Sequence, residues 1–282
     1  VRQWPGAMVR AGLGIARRRS SRLVNMPPES GIGVGNMLSF WLWAHAERRA
    51  GRDAWTMRTT AMDPWLAQFP TVRDLLIDRS EIGLLSARTL VWGQEWDLHP
   101  RDVLEDFVRQ RILTAPRLEG ARAADSDNRS LTINVRRGDY YSDPRWHALY
   151  GFDIDAYVRV AFDGARRQGP IERINVVSDD AEWCRRNLSW LADKGRDVAW
   201  HGPNGDPMDH FVRLASARRL ILGNSSFSYW GAYVSNVLHG DNHELVWAPR
   251  FHRRDINDGV AWQLDPTWSV VRHIPGGWAL AD

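Results

Sequence analysis

Apolar positions along this chain fall into short runs that alternate with longer stretches at helical spacing. In the first half, "SRLVNM" reads as a short strand and "PPESGIGVGN" as a Pro/Gly-rich turn. "NMLSFWLWAHAERRAG" then has the apolar spacing of a helix closed by glycine. "AWTMR" and "ARTLVWG" predict further strands, on either side of a Trp/Phe/Pro-punctuated stretch from Met62 to Phe69, and "HPRDVLEDFVRQRIL" predicts the next helix.

The second half repeats strand then helix four times. "LTINVRR" precedes a helix from Asp155 to Arg167, "RINVVSD" one from Ala181 to Asp193, "DVAWHG" one from Pro207 to Ala217, and "RLILGN" one from Phe227 to Val237. "ELVWAP" adds a strand. This alternation predicts an α/β fold with a parallel sheet covered by helices. Between the halves, "EGARAADSDNRS" (Glu119 to Ser130) is small and polar without apolar periodicity, which marks a surface connection. The expected organisation is a basic arm over residues 1–20, an α/β domain over 21–125 and a second over 126–282.

Composition narrows the class. With 44% apolar and 25% charged residues, the 282-residue chain is that of a globular protein large enough for two domains. No window holds about 20 uninterrupted apolar residues and no signal-peptide core opens the chain, so a cytoplasmic protein is the default expectation. The single cysteine, Cys184, excludes an internal disulfide and is expected to be a small buried apolar residue. Lys194 is the only lysine among 37 basic residues. Arginine is the better bidentate ligand for phosphate, although nucleotide bias explains the skew equally well. The arginines are dispersed rather than striped, which argues against a nucleic-acid-binding protein. The one dense run, "RAGLGIARRRSSR", reads as a solvated arm, with contact to nucleic acid or anionic lipid as the alternative. The 16 tryptophans are mostly expected in the core, but exposed aromatic faces also suit a sugar ligand.

In parallel sheets, ligands sit beyond the carboxyl ends of the strands, and the unusual residues of this chain lie there. Arg136 and Arg137, followed by Gly138 and Asp139, end one strand. If the strand persists they point in opposite directions, so that one faces a ligand. A phosphate clamp and an ion pair to Asp139 or another acid are both open readings. "NSSFS" (Asn224, Ser225, Ser226, Phe227, Ser228) opens a helix directly after a strand, which suits either an anion site or plain N-capping. "GIGVGN" permits close backbone approach but is neither a Walker sequence nor a dinucleotide fingerprint. Asp153 in "DID" is expected to cap a helix. His239 and His243 form a one-turn pair with no third ligand at a typical spacing, so no metal site is expected.

Taken together, these motifs resemble the bacterial α-1,2-fucosyltransferases of glycosyltransferase family 11. The family's His-x-Arg-Arg-Gly-Asp-Tyr block is matched from Asn134 to Tyr140 and its late Ser-rich block by "NSSFSYWGAY". Its Ser-Asp-Asp-x-x-Trp-Cys block is matched from Ser178 to Cys184, and its N-terminal glycine motif by "GVGN" (Gly33, Gly35, Asn36). The resemblance implies a GT-B architecture, two Rossmann-like domains whose sheets face across a cleft, with acceptor and GDP-sugar on opposite sides. It further implies GDP-β-L-fucose as donor, a glycan acceptor, inversion at the anomeric carbon, and neither cofactor nor required metal. Arg136 would hold the pyrophosphate, with Arg137, Asp179 and the Ser-rich turn beside it, and Asp209 would read guanine. Asp139, then Asp143, are the candidate bases. Asn134 stands where the family has histidine and Met37 where it has glutamine, which leaves another GDP-sugar, or a catalytically silent carbohydrate-binding relative, as alternatives.

Overall fold

In the computed structural model, residues 22–119, 128–203 and 206–279 are described. The basic arm therefore lies outside the described residues. The chain divides into two units between Ala115 and Pro116.

The first unit is built on four parallel strands: β1 (Arg22–Asn25), β2 (Asp53–Met57), β3 (Leu76–Ile77) and β4 (Ala87–Thr89), in the order β3-β2-β1-β4. Helix α1 (Val34–Arg49) follows β1. Its sequence is apolar nearly all round from Val34 to Ala44, and those residues are buried on every side, including Phe40 and Trp41. Only its last turn is polar. There Arg48 lies 4.0 Å from the Trp55 ring centroid and donates to the Ala54 carbonyl at 2.7 Å. The glycine turn is shorter than the sequence suggests, because Gly35 and Asn36 already belong to the helix. Strand β4 is also shorter than "ARTLVWG". Beyond Thr89, both the N–H and the C=O of Val91 bond to the Asn25 side-chain amide, which replaces the backbone ladder. Helix α2 (Asp63–Gln68) covers the Trp/Pro stretch, and α3 (Arg101–Phe107) slackens into a π-turn at Val108–Ile112.

The second unit begins with α4 (Pro116–Glu119), which packs on a later helix of the same unit. The change of unit thus falls before the polar segment, ten residues ahead of the expected division at 125/126. Six parallel strands follow: β5 (Ser130–Val135), β6 (Arg173–Ser178), β7 (Asp197–His201), β8 (Leu220–Ile221), β9 (Val246–Pro249) and β10 (Ser269–Val271). Their order is β10-β9-β8-β5-β6-β7. The chain therefore winds outward from β5 in one direction through β7, then restarts at β8 and winds the other way. The gap between the carboxyl ends of β5 and β8 is the switch point where such sheets open a crevice.

The helices of this unit are α5 (Gly138–Ser142), α6 (Pro144–Tyr150), α7 (Ile154–Arg167), α8 (Ala181–Asn187), α9 (Pro207–Ser216) and α10 (Ser226–His239). Asp153 caps α7 by accepting from Ala156 N at 2.9 Å. Helix α8 stops at Asn187, well short of the expected Asp193, and a 3-10 turn takes over. Every residue of β5 is buried, and Leu131, Ile133 and Val135 form the core with Ile174, Val176, Tyr157 and Phe162. Cys184 is fully buried against this core, and burial pushes its thiol up to about 11. Helices α9 and α10 approach closely at Gly231, where an added Cβ would lie 2.6 Å from that of Leu214.

Arg219, at the entry to β8, is 2% exposed, and among the described residues no carboxylate pairs with it. Its guanidinium donates to the carbonyls of Asn128 (2.9 Å), Pro170 (2.7 Å) and Ala165 (2.5 Å), with a longer bond to Gly169 (3.3 Å). These carbonyls belong to the entries of β5 and β6 and the end of α7, so one side chain ties three segments to β8. Arg219→Ala would leave several buried carbonyls unpaired. We expect a loss of about 3 kcal/mol or more in urea-denaturation stability, with Arg219→Lys recovering only part of it because an ammonium lacks the guanidinium's fork.

Candidate active site at the sheet switch point

Strand β5 ends at Val135, so Arg136 and Arg137 leave the ladder and their directions are not set by strand alternation. Asp179, just past β6, sets them instead. Its Oδ1 accepts from the Arg137 backbone N–H at 2.7 Å and its Oδ2 from Arg136 Nη1. Gly138 completes the bend at φ +21°, and an added Cβ would stand 2.6 Å from Asp179 Oδ2.

The two arginines have different tasks. Arg137 lies between the rings of Tyr141 (4.2 Å) and Trp183 (4.1 Å) and donates to Asp180 at 3.1 Å. Asp180 in turn caps α8 through Trp183 N. Arg137 is thus a brace between α5 and α8, with 15% of its side chain exposed. Arg136 keeps 35% of its side chain exposed, with its guanidinium 5.1 Å from the Tyr140 ring centroid. Its second nitrogen donates to Asp139. Of the pair, Arg136 is the more exposed cation.

Across the switch point, Ser225 caps α10 and accepts from Ser228 N at 3.3 Å. The first-turn N–H groups at Ser226 and Phe227 have no acceptor within the helix, and these two residues are half-buried rather than enclosed. Capping and anion binding are therefore compatible here. The turn approaches β5 closely: a Cβ on Gly223 would lie 3.3 Å from Arg136 N.

Two expected ligand contacts are occupied internally, and a third carries an ion pair while staying exposed. Asn134 is 7% exposed, donates to the Val177 carbonyl at 3.0 Å and accepts from Ser228 Oγ. Its amide joins β6 to α10 and has no free edge for guanine. Asn224 is 1% exposed and donates to the carbonyls of Tyr150 (3.0 Å) and His252 (2.9 Å). Asp209, in the first turn of α9, is ion-paired with Arg117, which also holds the α9 cap Asp206, but its side chain is 51% exposed and lines a cleft between β7 and α9. Asp143 is likewise a structural group: it caps α6 and accepts two bonds from the Arg145 guanidinium, which holds its carboxyl down at about 2. That makes it a poor base.

Gly33, Gly35 and Asn36 belong to the first unit. Gly33 precedes α1 and is exposed, Gly35 is buried, and Asn36 Oδ1 accepts from Gln94 Nε2 at 2.5 Å. Met37 is core, 2% exposed.

A cleft of about 710 Å³ opens beside Asp179, lined by Trp200, His201, His210, Arg213 and Arg185 among others. Burial lowers the pKa of both His201 and His210. The sequence flagged the end of β7 at His201, but it gave no signal that Trp200 and His210 meet there, because they come from β7 and α9. Among the described residues, no group of three or more His, Cys, Asp or Glu is arranged to hold a metal.

A partly exposed guanidinium and the first-turn N–H groups of a helix at the switch point of a parallel sheet have the chemistry that suits an anion. The family model described as Glycosyl transferase family 11 matches residues 97–240, which include this whole arrangement. The chain belongs to that family. An alpha-1,2-colitosyltransferase of Escherichia coli is 31% identical over 133 residues, covering 45% of this chain and 43% of that protein. A galactoside alpha-(1,2)-fucosyltransferase 1 of Ateles belzebuth is 34% identical over 140 residues, 47% of this chain and 36% of that one. The match thus spans less than half the length of these relatives. Among solved structures, the E. coli heptosyltransferase WaaC with ADP aligns over 91% of this chain and 94% of its own, at a TM-score of 0.45 and 11% identity.

Two outcomes follow from this geometry. Gly138→Ala forces a side chain into the Arg136–Asp179 contact at positive φ, and should cost about 1–3 kcal/mol of stability in thermal or urea unfolding. His252, 5% exposed beneath Tyr150, is pushed down to about 4, chiefly by burial and then by Arg253. A histidine with a lowered folded pKa contributes stability above its unfolded value near 6.5 that is lost as pH falls toward 4. The unfolding free energy from urea titrations should therefore drop over that window, by about 3 kcal/mol in total, and His252→Phe should flatten this part of the profile.

Proposed function

We propose that the chain is an inverting transferase that moves L-fucose from GDP-β-L-fucose to a glycan hydroxyl, the 2-OH of a galactoside being the expected position. The observation that carries this reading is Arg136. It offers a half-exposed guanidinium at the β5/β8 switch point, with the N-terminus of α10 on one side and the cleft on the other. Both relatives are named for α-1,2 transfers, which supports the linkage, while the colitosyl relative favours a second reading with another GDP-linked 6-deoxy sugar.

In this mechanism an acceptor oxygen displaces the nucleotide at C1. Negative charge grows on the β-phosphate, where Arg136 and the N–H groups at Ser226 and Phe227 stabilise it without a metal. The nucleoside lies in the cleft, with Trp200 offering a ring face and His210 a neutral imidazole. Asn134, Asn224 and Arg137 shape the site without touching the ligand.

Calorimetric titration of GDP, UDP and ADP in the presence of a chelator tests the reading. GDP-selective binding by the wild type is expected, weakened roughly tenfold to a hundredfold in Arg136→Ala, the worth of one charged hydrogen-bonded contact. Equal binding of all three nucleotides would remove the GDP-sugar assignment. If GDP binds, a screen of GDP-sugars against galactosides separates the fucosyl reading from its alternative.

A further inference from the structure

Arg136 is gripped by two carboxylates that are not equivalent. Asp179 is 24% exposed and is anchored a second time by the Arg137 backbone N–H. Asp139 is 53% exposed, lies in the first turn of α5, and its side chain makes no bond among the described residues other than the one to Arg136. A guanidinium that must also receive a diphosphate cannot keep both acids at equal cost, because each stands as a like charge against the incoming phosphate. The acid that yields is the exposed, singly held one.

We infer that the donor's diphosphate replaces Asp139 on Arg136, and that the released Asp139 carboxylate is the base that receives the acceptor's proton. This rests on the transferase reading above. Three residues from Arg136 on a short helix, the freed carboxylate stays beside the β-phosphate and so beside C1, one bridging oxygen away. The other acids nearby are committed: Asp143 to Arg145, Asp180 to Arg137 and the α8 cap, and Asp179 to the bend. In the step itself, the acceptor oxygen's lone pair forms the new bond to C1 and its proton passes to Asp139. The bond from C1 to the phosphate oxygen breaks, and GDP leaves with that electron pair. Because the base is held as a counter-ion until the donor arrives, donor binding precedes activation of the acceptor.

The test uses the full chain and Asp139→Asn, with Asp139→Ala as a second variant and Asp179→Asn for contrast. Removing a competing carboxylate should tighten GDP binding, by up to about fivefold for one exposed ion pair, while transfer to a hydroxyl acceptor falls by about a hundredfold or more. Asp179→Asn should weaken GDP binding, since the bend loses its anchor. Azide, a nucleophile with no proton to give up, should restore donor consumption in Asp139→Asn and form the glycosyl azide, but should not do so in Arg136→Ala. Unchanged or weaker GDP binding in both Asp139 variants, or transfer at the wild-type rate, would overturn the role of Asp139 while leaving the transferase reading intact. A wild type that binds no GDP would remove that reading and this one together.

Discussion

The site depends on one carboxylate. Asp179 divides its two oxygens between a backbone N–H and a guanidinium, and so turns the end of β5 away from the sheet just where the strand order reverses. Without that bidentate hold, a strand ending in two adjacent arginines would splay them across the sheet edge. With it, the neighbouring side chains are sorted by environment. One is clamped between aromatic rings and a capping acid, and the other is left at the crevice. The distinction between a supporting and a presented arginine is therefore made by a residue more than forty positions away in sequence, delivered by the parallel pairing of β5 with β6.

The same pairing explains how far the sequence could be read. Strand and helix alternate clearly in the apolar pattern, because a parallel sheet requires apolar strands and a crossover after each. The alternation of strand and helix, and the gathering of unusual residues beyond the carboxyl ends of β5, β6, β7 and β8, were accessible from that pattern and from the family-like motifs. What an amide or a carboxylate does was not. Asn134 and Asn224 are residue types that serve ligands and internal bonds equally well, and only their tertiary neighbours, Ser228 and Tyr150, decide between the two. Element ends were obscured for a similar reason: β4 stops where a side chain of β1 takes over its hydrogen bonds, which no local pattern records. β10 was missed because three residues flanked by Trp and Pro carry too little periodicity.

Substitutions at family positions also become intelligible. Asn134 occupies the place of a histidine but is committed to a short polar chain through Ser228 to Ser225 that fastens the start of α10 to β5 and β6. Met37, in place of a glutamine, is simply core. In both cases the side chain is held within the scaffold.

Arg219 has a consequence for how the second unit assembles. Its charge is permanent, and its acceptors come from the entries of two strands and the end of α7. Docking β8 while any of these segments is missing would bury a cation with incomplete solvation. Half-built versions of this sheet are thereby penalised, so the strands on the two sides of the reversal should gain and lose their order together. A single ionised side chain acts as a checkpoint for completeness, refusing a partial core in which apolar contacts alone would be satisfied.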